Sequence, residues 1–383
     1  MSVETRSGVF IPEGVQVLTF NGVDHTYKST NDLDRGDVVC LNRKFNFPEK
    51  DVTLDFIPPE PTRFATNTKE VLLPNTCSPD LSDWLGYVVA NGSVSVNTVR
   101  MSSNISAKTA HYESLVKQLF GMEVNVSSSN RNCKSFNIFS VTIKRFLDYL
   151  CDDFSTARFK TVPKCILSST KESQRRFLRA LFDCDASQFK SGFQFSTASE
   201  TVARDVNAML YRFGAVSFIK RKYAKNYPEH TYWNVYIYGA DLDTLYSEIL
   251  YDSFKYLPPE LKKRNTNVNV VYGILERLIN DTNMIRKELD VNKSGTYRDS
   301  HGNQLRFKAA NVLMKVSSMN ISYDKLKEHY ECLYGAPEDQ KALFEGMIKY
   351  VGDILENNYF YDIVENIECE QTLESYSLNM FEY

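Results

Sequence analysis

The 383-residue sequence predicts an α+β protein with a duplicated helix-and-strand unit in its middle, strand-rich segments at both ends, and one mainly helical region. Three observations carry that prediction. The same order of helices and strands occurs twice, with a period of 94 residues measured from Asn91 to Asp185, too long for a solenoid and right for a duplicated domain. Short β-branched and aromatic runs, punctuated by Gly, Asn and Pro, fill residues 1–45 and return after residue 359. Between 255 and 357 the apolar residues fall mostly at helical spacing.

The elements follow in order. The run 15–20 is β-rich, Asn21-Gly22 is a turn signal, and 37–41 is a second strand. Six prolines between Asn46 and Pro79 mark an extended linker or surface crossing. Ser78-Pro79-Asp80-Leu81 opens a helix: a capping hydroxyl, proline in the first turn, then an acid. It runs to about Ala90 and is followed by a strand over 94–101, a helix over 107–120 closed by Gly121, strand text at 124–126 and 136–141, and a helix over 144–151. The second pass places a helix at 171–182, a strand at 193–195, a helix at 200–212 stopped by Gly214, strands at 216–222 and 233–238, and a helix at 242–250. Glycine at both Phe-Gly helix ends is the usual left-handed stop. Helices are clearest at 269–280 and 336–357, with a turn near 300–303, and strand-like alternation returns at 361–364 and 375–378.

Composition bounds the function classes. Apolar residues are 43% and charged residues 24%, which excludes global disorder. Apolar runs such as 85–90 are far shorter than the ~20 residues of a membrane span, and no apolar signal core follows Met1. The eight cysteines are scattered without a C-x-x-C pair, against a structural zinc site or a disulfide framework and in favour of a reduced, intracellular, cytoplasmic setting. The five histidines show no ligand spacing. The net charge of −3 hides a split: residues 81–250 hold 21 Lys+Arg against 15 Asp+Glu, and the remainder 24 against 33. A basic middle in an acidic chain points to a polyanion surface.

The helices that open the two repeats end in parallel texts, Trp84-Leu-Gly-Tyr-Val-Val-Ala-Asn-Gly92 and Leu178-Arg-Ala-Leu-Phe-Asp-Cys-Asp-Ala186, each followed by Ser. Small residues coincide: Gly86 with Ala180, Ala90 with Cys184, Gly92 with Ala186. Small side chains so spaced let two helix backbones approach closely. Each last turn would then deliver one polar side chain, Asn91 or Asp185, to a shared point. Two carboxylates meeting there would need a divalent cation between them; here one member is an amide, which can ligate but adds no charge. Arg175 and Arg176 just ahead of the second motif, and Arg179 at its start, read as facing solvent or the backbone of a polyanion.

This helix pair resembles the LAGLIDADG homing endonuclease family over about residues 81–250, with the second motif matching more closely than the first. The resemblance implies a duplicated αββαββα saddle whose sheets sit on double-stranded DNA, with Mg²⁺ or Mn²⁺ at Asp185 and Asn91. Basic residues on or beside the predicted strands are the further candidates: Lys222 and Lys134 to polarise the scissile group, and Lys220, Arg221, Lys222 and Arg100 to contact DNA. The internal duplication makes a monomer sufficient. The flanks resemble intein splicing (Hint) domains: Leu33, Gly36 and Asp37 fit a Leu-x-x-Gly-Asp element, and residues 363–380 look like the start of an intein C-terminal part. The first intein block is missing, the catalytic His of the second block falls near Gly14 or Val15, and the sequence ends Phe381-Glu-Tyr383 in place of His-Asn. Splicing needs an activated nucleophile and a cyclising Asn, so it is expected to be inactive.

The expected layout is a degenerate Hint-like part with linker over 1–77, the duplicated domain over 78–251, a mainly helical accessory region over 252–357 open to a protein partner, and a Hint-like end over 358–383. The expected function is site-specific binding of double-stranded DNA with metal-dependent cleavage or nicking. The alternative is a cleavage-incompetent DNA-binding protein, a regulator or a component of a larger complex.

Overall fold

The computed structural model describes residues 2–368 apart from 13, 44, 59–70, 131–132, 152–153, 155, 225–226, 257–268, 299–300, 315, 317–319 and 337–340. The expected strand at 375–378 lies outside the described residues. The chain divides into two units, one made of residues 1–43 and 265–383 and the other of residues 44–264.

The first unit begins with β1 (Ser2–Thr5), β2 (Phe10–Ile11), β3 (Gln16–Phe20), β4 (His25–Ser29) and β5 (Val38–Leu41). The Asn21 turn joins β3 to β4, with its Oδ1 accepting from the amides of Val23 and Asp24 at 2.8 Å each.

The second unit opens with α1 (Pro79–Asn91), β6 (Gly92–Val94), β7 (Thr98–Ser103), α2 (Ser106–Phe120), β8 (Asn125–Asn130), β9 (Cys133–Phe139) and α3 (Val141–Leu150). A short α4 (Lys164–Leu167) leads to the second pass: α5 (Lys171–Asp185), β10 (Ala186–Phe189), β11 (Gly192–Thr197), α6 (Glu200–Arg212), β12 (Ser217–Ala224), β13 (Tyr227–Tyr238) and a short α7 (Asp241–Thr244) continued by a π-turn over Leu245–Ile249. Each repeat folds its four strands into one antiparallel sheet, in the orders β6-β7-β9-β8 and β10-β11-β13-β12. The Ser78 hydroxyl caps α1 by accepting from the Leu81 amide, and Thr170 caps α5. Gly121 closes α2 at φ +66°. The proline-rich crossing is tied down on its described sides: Thr53 bridges Thr76, and the Asp51 carboxylate accepts from the Thr170 amide and hydroxyl.

The core of this unit is the α1–α5 pair. Contacts advance together along both helices, Asp80 with Arg176, Asp83 with Arg179 and Gly86 with Ala180, so the helices run parallel and end side by side. At Gly86 the backbones nearly touch: a Cβ there would lie 2.5 Å from the Phe177 carbonyl oxygen and 2.8 Å from the Ala180 Cβ. Two of the three arginines expected at the surface are not there. Arg175 and Arg179 are buried. Arg179 pairs with Asp83 and Asp183 and donates to the Tyr87 hydroxyl at 2.7 Å; Arg175 pairs with Glu172 and Asp252 at 2.7 Å each. A charged row that would suit a solvated face is instead neutralised by Asp83 on α1, by Glu172 and Asp183 on α5 itself, and by Asp252.

The chain then returns to the first unit with β14 (Val270–Val271), α8 (Leu275–Glu288), the hairpin β15 (Thr296–Arg298) and β16 (Gln304–Arg306), α9 (Lys308–Met314), β17 (Ile321–Ser322), α10 (Tyr323–Tyr334), α11 (Lys341–Asn357) and β18 (Phe360–Glu368). The helix expected at 269–280 starts only at Leu275. Val270 and Val271 pair with β17, and Gly273 turns at φ +75° against the backbone of Gly22, where a Cβ would meet the Gly273 carbonyl at 2.7 Å. The main sheet runs β2-β1-β18-β5-β3-β4, so strands from both ends of the described chain share it. Tyr361, Phe20, Phe344 and Val351 belong to a common core with the helices of this unit.

Candidate nucleic-acid interface and helix-end site

The alternation of each strand fixes which side chains face the helices. In the first sheet Val99, Met101, Phe136 and Ile138 are buried, and Arg100, Ser102, Ser135 and Asn137 lie on the opposite, open face. Arg100 is exposed, and its Nε donates to Asn137 Oδ1 at 2.8 Å. In the second sheet Val235 and Ile237 are buried, and the open face carries Gln194, Ser196, Asn234 and Tyr236. These four form one hydrogen-bonded row, Gln194 to Ser196 at 2.8 Å, Ser196 to Asn234 at 2.9 Å and Asn234 to the Tyr236 hydroxyl at 2.9 Å. Tyr236 and Tyr238 stack with ring centroids 5.8 Å apart.

The basic strand residues separate by face. Lys220 and Lys222 pair with Asn234 and Tyr232 on the open face. Arg221 alternates to the other face, its guanidinium over the rings of Tyr223 and Trp233. Lys134 shares the face of Phe136 and Ile138, at the exposed end of β9. Arg100, Lys220 and Lys222 are thus the expected contacts that the two open faces hold.

Asn91 and Asp185 are the last residues of α1 and α5. Lys160 covers the end of α1, its Nζ donating to the Val89 and Gly92 carbonyls at 2.8 Å each. Lys255 covers the end of α5, donating to the Ala186 carbonyl at 2.8 Å beside a hydrogen bond from the Tyr256 hydroxyl. Cations at helix C-termini satisfy the last carbonyls and oppose the dipole. Burial pushes the Asp185 carboxyl above its ordinary value, while Lys160, Lys108 and Lys255 pull it back. Burial draws the Lys160 ammonium below the ordinary lysine value, against the pull of Asp185. The buried Lys108 donates to the Cys184 thiol at 3.5 Å, and burial pushes that thiol up to about 12. A cleft of about 370 Å³ is lined by Val89, Lys160, Asp185, Ser196 and Tyr232 among others, so Asp185 shares a cavity with residues of the second sheet's open face.

The lysines acting on Asp185 are therefore Lys160, Lys108 and Lys255, none of which stood out in the sequence; Lys134 and Lys222 stand on the sheets. A signal existed for two of them, since Lys255 follows Lys160 by 95 positions, close to the repeat period. Lys108 has no such echo, because Val202 stands 94 positions later. As donors for a divalent cation, Asp185, Asn91 and the Gly92 and Ala186 carbonyls are the right kind, all oxygen. They bring a single negative charge, which three ammonium groups share.

Residues 172–250, the second repeat, match the family model described as a LAGLIDADG-like domain. The chain is 26% identical over 279 residues to the replication factor C small subunit of Methanocaldococcus jannaschii, covering 70% of this chain and 14% of that protein. It is 27% identical over 267 residues to an A-type ATP synthase polypeptide of Pyrococcus abyssi, covering 68% of this chain and 25% of that protein. The chain thus spans a quarter or less of these relatives. Among solved structures, the homing endonuclease I-DmoI in complex with DNA and Ca is similar with a TM-score of 0.37 and 12% identity, over 48% of this chain and 96% of that one. The N-terminal LAGLIDADG domain of DUF199/WhiA is similar with a TM-score of 0.32 and 15% identity, over 48% of this chain and 84% of that one. No helix among the described residues is long and apolar enough to cross a membrane.

Proposed function

We propose that residues 44–264 bind a specific site on double-stranded DNA through the open faces of the two sheets, with the ends of α1 and α5 beneath the phosphates, and that cleavage is reduced to one strand. The observation that carries this reading is the unequal pair at the parallel helix ends: one carboxylate, Asp185, and one amide, Asn91, with Asp185 in a cleft shared with an open sheet face. Strand faces bearing the exposed Arg100, Lys220 and Lys222 beside Gln194 suit major-groove base edges and phosphates. The LAGLIDADG-like match over the second repeat supports the same reading. When bound at Asp185 and Asn91, Mg²⁺ or Mn²⁺ would supply Lewis-acid stabilisation of the phosphodiester and an activated water. Lys160, Lys108 and Lys255 would make this point electropositive towards a phosphate.

The second reading is binding without cleavage, as in a regulator. The three ammonium groups around Asp185 favour it, because they already neutralise the one charge a metal would need.

The unit of residues 44–264 interrupts a sheet that draws strands from both sides of it. The replication factor and ATP synthase relatives have unrelated activities, yet each aligns over a minor part of its length. A mobile element of intein type, with Hint-like flanks, accounts for both observations.

The test is a plasmid carrying candidate target loci, incubated with the protein and Mg²⁺ or Mn²⁺ beside Asp185→Ala. Nicked circles that vanish in the variant support one-strand cleavage. Intact plasmid with a gel shift selects the second reading. Equal nicking by Asp185→Ala sinks the site assignment.

A further inference from the structure

The proposed duplex-binding faces differ chemically at equivalent positions. Arg100 in the first sheet corresponds, 94 residues on, to Gln194 in the second, and their register partners are Asn137 and Tyr236. Arg100 projects from a face of small residues: Ser93 pairs with it on one side, and Ser102 and Ser135 lie one step along. Its Nε is tied to Asn137 Oδ1 at 2.8 Å. Asn137 is itself nearly fully buried, and its Nδ2 donates to the Asn125 carbonyl and the Ser127 hydroxyl at 3.1 Å each. An arginine held through Nε keeps both terminal nitrogens for an outside partner, and much of its rotamer freedom is already lost. Two parallel donors on a fixed fork match the O6 and N7 acceptors of guanine in the major groove.

We propose that Arg100 reads a guanine in one half of the target, with Asn137 as its positioning residue, and that the other half lacks this contact. This rests on the duplex-binding function proposed for the two sheets. Gln194 cannot replace the arginine, since a carboxamide sets an acceptor oxygen beside its amino group and cannot present two parallel donors to O6 and N7.

The experiment selects bound sequences from a random duplex library with the full chain. It then measures affinity for the best duplex and its single-base variants, at two salt concentrations, for the wild type, Arg100→Ala and Asn137→Ala. The expected result is a wild-type guanine preference at one position of about 10- to 100-fold, lost in Arg100→Ala at that position alone. Asn137→Ala should shrink the same preference while leaving the salt dependence unchanged. A uniform loss of affinity over all sequences in Arg100→Ala, with a salt slope lower by about one, marks a phosphate contact and overturns the inference. Arg100 is exposed, so its variant decides the matter even if Asn137→Ala fails to fold. A wild-type chain that binds no duplex overturns the reading of the sheets, and this inference with it.

Discussion

Lys160 and Lys255 perform the same task in the two repeats: each ammonium donates at 2.8 Å to the carbonyl of the residue just after a central helix, Gly92 for one and Ala186 for the other. Lys160 also reaches Val88, Val89 and Ala90. Replacing Lys160 with Met should therefore cost more stability than Lys255→Met. A charge-assisted hydrogen bond is worth about 1.5–3 kcal/mol, so chemical denaturation should place Lys255→Met within that range and Lys160→Met at or above its top. Equal small losses would show that the carbonyls are satisfied without them.

Gly86 sets how closely the two central helices approach. Gly86→Val puts side-chain carbon into space held by the Phe177 carbonyl and the Ala180 methyl. Overpacking of this kind typically costs about 1–3 kcal/mol, and here the clash is with backbone, so a thermal midpoint well below wild type is expected. Pairing it with Ala180→Gly should recover part of the loss, and no recovery would mean the Phe177 carbonyl dominates.

Arg179→Met leaves Asp83 and Asp183 buried without their shared cation. Breaking one side of a buried ion pair costs about 3–5 kcal/mol. The double variant Arg179→Met with Asp83→Leu should be more stable than the single one, because it removes a stranded charge together with its partner. Urea midpoints of the three proteins check this order.

Asp205 gives a pH dependence. Burial pushes its carboxyl up to about 6, with the Val162 amide and Arg212 pulling the other way. A carboxyl raised in the folded state favours folding while protonated, and that contribution is lost as pH climbs through the folded value. Asp205→Asn, which keeps an acceptor for the Val162 amide, should match wild type near pH 4 and exceed it above pH 6. The ceiling on the gap is about 3 kcal/mol, from a shift of roughly two units. Denaturation curves from pH 4 to 7.5 would refute the idea if the gap stayed constant.

Asn91→Asp adds a second carboxylate at the helix ends. Without divalent ions the two acids should repel and lower the thermal midpoint. Added Mg²⁺ or Mn²⁺ should raise that midpoint more for the variant than for wild type, by mass action on the folded state. An unchanged response to metal would mean the lysines, not the missing charge, control the site.

The local signals were legible where chemistry is local. Ser78 does cap the first central helix, and Gly121 stops α2 in the left-handed region. The repeat comparison placed Asn91 and Asp185 at matching helix ends. What stayed hidden depends on partners distant in sequence. Strand β10 carries an exposed Ser-Gln-Phe run that lacks a strand's apolar alternation and is ordered by pairing with β11. Arg179 reads as a surface charge until Asp83, 96 positions earlier, is brought beside it. Lys160 and Lys255 sit in irregular segments where periodicity says nothing, and only the helix ends they cover give them meaning.

The placement of β18 between β1 and β5 has a consequence for biosynthesis. On the ribosome the strands of residues 2–41 emerge first, and their central partner arrives only with residues 360–368, after more than 300 further residues have been translated. Until then the inner edges of β1 and β5 offer unpaired backbone groups, an invitation to wrong partners. The interrupting unit can complete its own two sheets in that interval. Nascent chains released before β18 should therefore be insoluble even though their middle is already folded.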